Sequence, residues 1–309
     1  MVFRSRFPNK ILMAVAVSCV LLAGCRTPSA RQSAAPIKTG DEIIVAGKRF
    51  HTGTRVVTWQ DAGGYNGYGT PKPLFGRRQV TGRKAKDRPP TLRELQKQVD
   101  QFVLHYDTVG LSRICFDVLQ KRGLSVHFLL DVDGTIYQTL DLQERAWHAG
   151  TANDRSIGVE IANLGAYPPG EAKILKEWYR SGPAGQTRFV SPKSAGDPRL
   201  RTPDFVGRPQ RPDPVRGTVN DRELVQYDFT PEQYAALIKL TAALHRVFPR
   251  IALDYPRDAN GRMVAGKLSG EKLAKFRGVI GHFHIQANKF DPGPAFQWDP
   301  VINRARQEK

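Results

Sequence analysis

Cysteine is scarce in this chain: Cys19, Cys25 and Cys115 are the three among 309 residues. That is too few for a disulfide framework to carry the fold. Long apolar runs are also lacking. The best one, residues 11–22, is too short to span a bilayer comfortably. Acidic residues are outnumbered, 29 against 47 Lys and Arg, for a formal net charge of +18. An excess of that size fits an anionic partner: nucleic acid, a membrane surface or an anionic polymer. It also fits plain solubility. No nucleic-acid fold signature accompanies it, and no internal repeat is present. The 40 % hydrophobic and 25 % charged fractions are ordinary for a chain that buries a core.

The N-terminus has the layout of an export signal. Arg4, Arg6 and Lys10 precede the apolar run, which ends in Leu22-Ala23-Gly24-Cys25. Small residues before a cysteine resemble a bacterial lipobox, in which the cysteine becomes the lipidated first residue. The plainer reading is an ordinary signal peptide that happens to hold a cysteine. The lipobox reading makes residues 1–24 a lipoprotein signal peptide and Cys25 the lipidation site. It places the protein in the cell envelope, at the periplasmic face of the outer membrane. Processing would remove three basic residues and no acidic ones, so most of the positive excess stays. Cys115 alone would then remain as a thiol, expected as a small buried hydrophobe in a helix.

Residues 25–40 read as a flexible tether, reaching on the order of 20 Å as a coil and ~50 Å stretched. Residues 41–90 read as an N-terminal extension. It has short strands at Ile43-Ile44-Val45 and Val56-Val57, then irregular surface rich in Gly, Lys, Arg and Pro. A regular domain is expected over 91–301. Thr91-Leu92-Arg93-Glu94 is a capping box. Phe102-Val103-Leu104 reads as a strand delivering His105, and 112–122 as a helix stopped by Gly123. Residues 126–130 and 135–140 read as a hairpin around Asp133-Gly134. Asp131 and Asp133 fit that turn better than a calcium loop, which needs further ligands. Residues 157–161 and 279–281 read as strands. Thr230-Pro231-Glu232-Gln233 opens the best helix, with Phe229 able to staple onto Tyr234. Alternating helices and strands predict an α/β fold, a mixed central sheet flanked by helices. Residues 164–228 form a Pro/Gly-rich insertion with one short helix near 171–180. It is either a wall beside the substrate or a decoration.

Seven histidines occur: His51, His105, His127, His148, His245, His282 and His284. His51 and His245 read as surface residues, His127 as structural. His105, His148 and His282 stand at strand ends or in adjoining loops, where α/β folds build sites. Nine residues after His282, Asp291 adds a carboxylate on a Pro/Gly-stiffened loop. Two imidazoles and one carboxylate make a three-ligand zinc set with a fourth position for water. His284 competes with His282, because strand alternation would point both to one side. Trp147 and Trp298 are candidates for stacking on a sugar or peptide, against burial in the core. Asp107 reads as a turn residue.

Five motifs in order resemble the type-2 N-acetylmuramoyl-L-alanine amidases, related to the peptidoglycan recognition proteins. They are Leu104-His105-Tyr106, Ser125-Val126-His127-Phe128 with its Asp-Gly hairpin, Ala146-Trp147-His148-Ala149-Gly150, Ser156-Ile157-Gly158-Val159-Glu160-Ile161, and Gly281-His282 followed by Lys289-Phe290-Asp291-Pro292-Gly293. The resemblance implies Zn²⁺ held by His105, His282 and Asp291. It implies Glu160 as acid/base and Lys289 as the group facing the reacting carbonyl oxygen. His148 and Trp147 are candidate substrate contacts, His148 with a scaffold role as its alternative. The implied reaction is hydrolysis of the amide between N-acetylmuramic acid and L-alanine in peptidoglycan or muropeptides, by a monomer. His284 stands where relatives often carry an acidic residue. Two rival readings are a non-catalytic peptidoglycan-binding lipoprotein on the same fold and a structural wall tether. Competent chemistry at every matched position favours the enzyme.

Overall fold

Short apolar runs, buried along their length, lay down the sheet, and the chain reaches it early. The computed structural model describes residues 40–80, 88–182 and 185–308. The signal peptide, Cys25 and the rest of the tether before Gly40 lie outside the described residues. The chain opens with a hairpin of β1 (Glu42–Val45) and β2 (Lys48–His51), followed by β3 (Val56–Thr58) and β4 (Phe75–Arg77). Next come α1 (Leu92–Gln98), β5 (Gln101–Tyr106) and α2 (Ser112–Lys121). Then follow β6 (Phe128–Leu130), β7 (Ile136–Gln138), β8 (Glu144–Ala146) and β9 (Ser156–Ile161). The six-stranded mixed sheet has the order β14-β5-β9-β6-β7-β3, where β14 is Gly278–Gly281. β14, β5, β9 and β6 run parallel, β7 is antiparallel to β6, and β3 is parallel to β7.

Residues 41–80, expected as part of an extension, contribute to the main domain instead. β3 is an edge strand of the central sheet, and Ile43, Val45 and Val56 belong to the main core. The expected irregular surface hides the largest fully buried side chain, Arg78. Composition misled there: a basic, Gly-rich stretch still contributes backbone to β4, which pairs with β8.

The long helix α4 (Pro231–Val247) starts as its residues dictate. Thr230 Oγ1 accepts from the Gln233 N–H at 3.1 Å, and Gln233 answers at the Thr230 N–H. The expected staple is present, with Phe229 and Tyr234 ring centroids 5.9 Å apart. One face of the sheet, including Phe102, Leu104, Ile157, Val159 and Phe128, packs with α4 in the main core. Each such side chain contributes about 1.5–3 kcal/mol by leaving water. Period-2 alternation sends Val103, His105, Gly158 and Glu160 to the other face. Cys115 and Leu119 of α2 cover Leu129 and Tyr137 on that face. Cys115 is a buried free thiol.

The turn at 131–135 is a turn. Gly134 N–H donates to the Asp131 carbonyl at 3.0 Å, and Asp133 Oδ1 accepts from the Thr135 N–H. Near 171–180 the insertion makes a 3₁₀ stretch and α3 (Leu175–Trp178), not one helix. It then forms two hairpins, β10 (Tyr179–Ser181) with β11 (Thr187–Phe189) and β12 (Val215–Val219) with β13 (Arg222–Gln226). Leu111, Leu164, Trp178, Tyr179 and Val225 give it an apolar cluster of its own. The chain continues through α5 (Gly270–Lys275) and α6 (His282–Ile285), and α7 (Trp298–Ala305) carries the domain past residue 301. No helix among the described residues is long and apolar enough to cross a membrane.

Candidate active site

Parallel strands leave their carboxyl ends along one edge, and open α/β sheets collect ligands there. His105 and Glu160 are register partners on adjacent parallel strands, so both side chains leave the same face of the sheet. His282 follows β14 directly, and β14 is the other neighbour of β5. Asp291 returns on the loop beyond. His105 Nδ1 lies 3.0 Å from His282 Nδ1 and 2.7 Å from Asp291 Oδ2, and His282 Nδ1 lies 3.0 Å from the same oxygen. Among the described residues this is the group of three whose donor atoms could hold a metal ion. All three residues are buried.

The donor set fits a small divalent cation. Three lone-pair atoms meet at one point, and two neutral imidazoles cannot all hydrogen-bond a single carboxylate oxygen and each other. A tetrahedral ion with bonds of about 2.0–2.1 Å would replace those competing contacts. Protonation is set for it. Burial depresses His105 to about 4, against the pull of Asp291. Asp291 sits below the ordinary carboxylate range because the two histidines outweigh its own burial. With His105 Nδ1 turned inward, its Nε2–H donates to His148 Nδ1 at 3.0 Å. His148 then carries its proton on Nε2, 3.3 Å from Ser156 Oγ. His148 thus orients His105 rather than merely lining the cleft. Its ring lies against Gly158, where any Cβ would approach it to 2.5 Å.

The cleft is about 140 Å³ and also takes in Glu160, Lys289, Trp147 and Arg122. Burial and the Asp291 charge raise Glu160 well above its ordinary value. Trp147 is half-buried at the rim. Trp298 is absent from the cleft and packs in the core against Phe283, His284 and Phe296.

His284 is not a rival ligand. The strand ends at Gly281, and 282–285 make a helical turn, so alternation no longer applies. His284 Nδ1 accepts from the Gly281 N–H at 3.0 Å and Nε2–H donates to the Val264 carbonyl at 2.8 Å. Both nitrogens are used in holding the turn that aims His282. His127 accepts from Gly158 N–H at Nδ1 and gives its Nε2 proton to the Glu144 carbonyl. His245 is half-buried and donates to the Ile251 carbonyl, where a surface residue was expected; His51 is exposed. Asp107 Oδ1 accepts from the N–H groups of Val109, Gly110 and Asn163, as a turn residue should.

Three supporting residues had no sequence signal. Gln226, on β13 of the insertion, donates to the Pro292 carbonyl at 3.0 Å and accepts from the Ala295 N–H at 3.0 Å. Gly293, at φ +88°, passes so close that a Cβ would meet the Gln226 amide. Asn220 Nδ2 donates to the Lys289 carbonyl at 2.8 Å. The C-terminal hairpin of the insertion therefore braces the segment carrying Lys289 and Asp291. Arg78 donates from Nε, Nη1 and Nη2 to the carbonyls of Leu142, Asn153, Asp154 and Ser156. Burial lowers its pKa to about 10, so it stays charged at neutral pH. It ties down both ends of the loop that presents His148. Arg78→Met should cost roughly 3–5 kcal/mol by orphaning those carbonyls, read as a lower urea midpoint. Arg78→Lys should recover only part of it, since an ammonium cannot span four carbonyls.

Residues 95–193 match the family model described as N-acetylmuramoyl-L-alanine amidase. Over that stretch, about a third of the chain, the sequence is similar to the N-acetylmuramoyl-L-alanine amidase family. The match includes His105, His148 and Glu160 and stops before His282, Lys289 and Asp291, which the fold brings in from the far end of the chain. No curated protein sequence matches. Among solved structures, the endolysin LysCS from Clostridium intestinale URNW shares 14% identity, covering 69% of this chain and 86% of its own, at a TM-score of 0.36. AmiD from E. coli, in complex with anhydro-N-acetylmuramic acid-L-Ala-D-gamma-Glu-L-Lys, shares 21% identity over 72% of this chain and 61% of its own, at 0.37. AmpD shares 18% identity over 82% of this chain and 97% of its own, at 0.36. These likenesses are loose, and the fold described above rests on sheet order and register.

Proposed function

We propose that this amidase-family protein is a zinc-dependent hydrolase. On this reading it cleaves the amide between the lactyl group of N-acetylmuramic acid and L-alanine in peptidoglycan or muropeptides. The observation that carries the reading is the convergence of His105, His282 and Asp291 on one point beside Glu160. Zinc, when bound, supplies Lewis-acid polarisation of the amide carbonyl and a water acidified to a pKa of about 7. The chain's own residues do the rest. Glu160 takes the proton of the attacking water and passes it to the amine of L-alanine as the C–N bond breaks. Its raised pKa suits both halves of that task. Lys289 lines the same cleft, and its ammonium is assigned to the negative charge that grows on the carbonyl oxygen. His148 keeps His105 in the tautomer that turns Nδ1 inward. Trp147 at the rim offers an aromatic face to the substrate.

Mass spectrometry of products from purified sacculi tests this. Free stem peptides with an unmodified N-terminal L-alanine are expected, and a chelator should suppress them. Release of anything else, or of nothing, removes the proposal. We also propose that Cys25 carries a lipid that holds the protein at the envelope, on the periplasmic face of the outer membrane. The charged start, apolar run and small-residue site of residues 1–25 support this. Cys25→Ser should leave the membrane fraction or stay unprocessed. Continued membrane partitioning after signal cleavage would show that the anchor lies elsewhere.

A further inference from the structure

A second and larger cavity, about 690 Å³, lies across α2 from the catalytic cleft. At 100° per residue, Arg113, Phe116 and Asp117 face this cavity. Cys115, Val118, Leu119 and Arg122 face the cleft. Its other walls are residues 63–66, Tyr137 and residues 199–201 of the insertion.

Three guanidiniums reach it, from Arg113, Arg199 and Arg201. Arg113 is held by the Ala195 and Asp197 carbonyls, and Arg201 by the Ala62 carbonyl. These are neutral acceptors, so the charges are not offset by them. Among the described residues none of the three forms an ion pair, and the lining holds a single carboxylate, Asp117. The floor is aromatic. Tyr65 stacks on Phe116 at 5.3 Å and tilts against Tyr137 at 4.5 Å, with Arg201 over the Tyr137 ring. Positive, planar donors above an aromatic floor suit a carboxylate joined to a small apolar group.

We propose that this cavity binds the carboxylates of a peptidoglycan stem peptide other than the one being cleaved. The proposal rests on the peptidoglycan reading above and extends it. A cleft of about 140 Å³ admits little beyond the reacting bond. A cavity of about 690 Å³ is of the size that encloses a small ligand, roughly 300–1,000 Å³. A polymer with a peptide on each disaccharide repeat presents a second carboxylate-bearing peptide near the first. Binding it beside α2 would hold the enzyme on intact wall and leave a single soluble muropeptide indifferent to the cavity.

The test uses the zinc-loaded full chain. Among the described residues the Arg199 side chain makes no hydrogen bond, so Arg199→Glu leaves the braces of Arg113 and Arg201 intact. Retention on purified sacculi is measured in a Glu160→Gln background, so that the wall is not digested. Arg199→Glu should weaken retention about tenfold. Lys272→Glu, the same charge change on exposed α5, should not. With Glu160 restored, Arg199→Glu should slow hydrolysis of sacculi and leave that of one soluble disaccharide-peptide unchanged. Carbodiimide amidation of the sacculi should erase the difference between the variants. Removal of phosphate-linked polymers with hydrofluoric acid should not. Equal retention by Arg199→Glu and its parent overturns the proposal, as does equal loss with Lys272→Glu. A difference that survives amidation and disappears with phosphate overturns the carboxylate assignment. If the soluble disaccharide-peptide is never hydrolysed, the amidase reading fails, while retention still reports on the cavity.

Discussion

His105→Ala should lose stoichiometric zinc and, with it, turnover by roughly 10⁴-fold or more, about 5 kcal/mol of barrier. The expectation follows from position as well as identity. His105 Nδ1 lies 3.0 Å from His282 and 2.7 Å from Asp291, on β5, which sits between β14 and β9 in the sheet. Alanine there leaves two protein ligands, one fewer than a catalytic zinc site needs. Because burial holds His105 near 4, zinc displaces no proton from it at neutral pH, so affinity should not depend on its titration above about pH 5. Metal analysis by mass spectrometry, set beside circular dichroism, separates a lost ligand from a lost fold. A folded variant with one equivalent of zinc would remove His105 from the metal site.

Glu160→Gln should keep zinc and lose turnover by roughly 10²–10⁴-fold, or about 3–5 kcal/mol. The amide preserves size and hydrogen bonding and removes only the group that takes up a proton. Its stability should move in the opposite direction. In the metal-free protein the Glu160 carboxyl is raised above its ordinary value by burial and by Asp291. The folded state therefore binds more protons than the unfolded one, starting at the unfolded pKa near 4.5. A raised carboxyl favours folding at low pH, and that benefit disappears as pH rises through the folded pKa. Relative to wild type, metal-free Glu160→Gln should thus become more stable as pH climbs above about 4.5. Denaturant melts at several pH values read this directly. A flat difference would mean that the carboxylate is solvated in the cleft, and near-normal turnover would exclude it from proton transfer.

The local elements were legible because their causes are local. A capping box needs four residues, and Thr91 and Thr230 both behave as their sequences require. The Asp133-Gly134 turn and the Gly123 stop are equally short-range. The part played by residues 41–90 was not legible. β3 finds its partner, β7, some 80 residues later, and nothing in Val56-Val57 names that partner. Arg78 was hidden for a related reason. A charged residue in a basic, Gly-rich stretch looks solvated, and only folding brings four backbone carbonyls around it. His284 shows the reverse error, since two-residue spacing faces one side only while the strand lasts, and the strand ends at Gly281.

By itself the sequence determined which chemistry was available: two imidazoles, a carboxylate, an acid/base and a lysine, in motifs that named an amidase family. It also determined the period-2 alternation that sends Glu160 away from the main core. Tertiary structure alone decided that His105 and Asp291, 186 residues apart, share one point. It chose His282 over His284 and used the insertion to brace the loop that carries Asp291. The reason is physical: a ligand set is a matter of ångströms between side-chain atoms. Those distances come from strand register, the last residue of β14 and hydrogen bonds across the fold, none of which spacing along a chain can express.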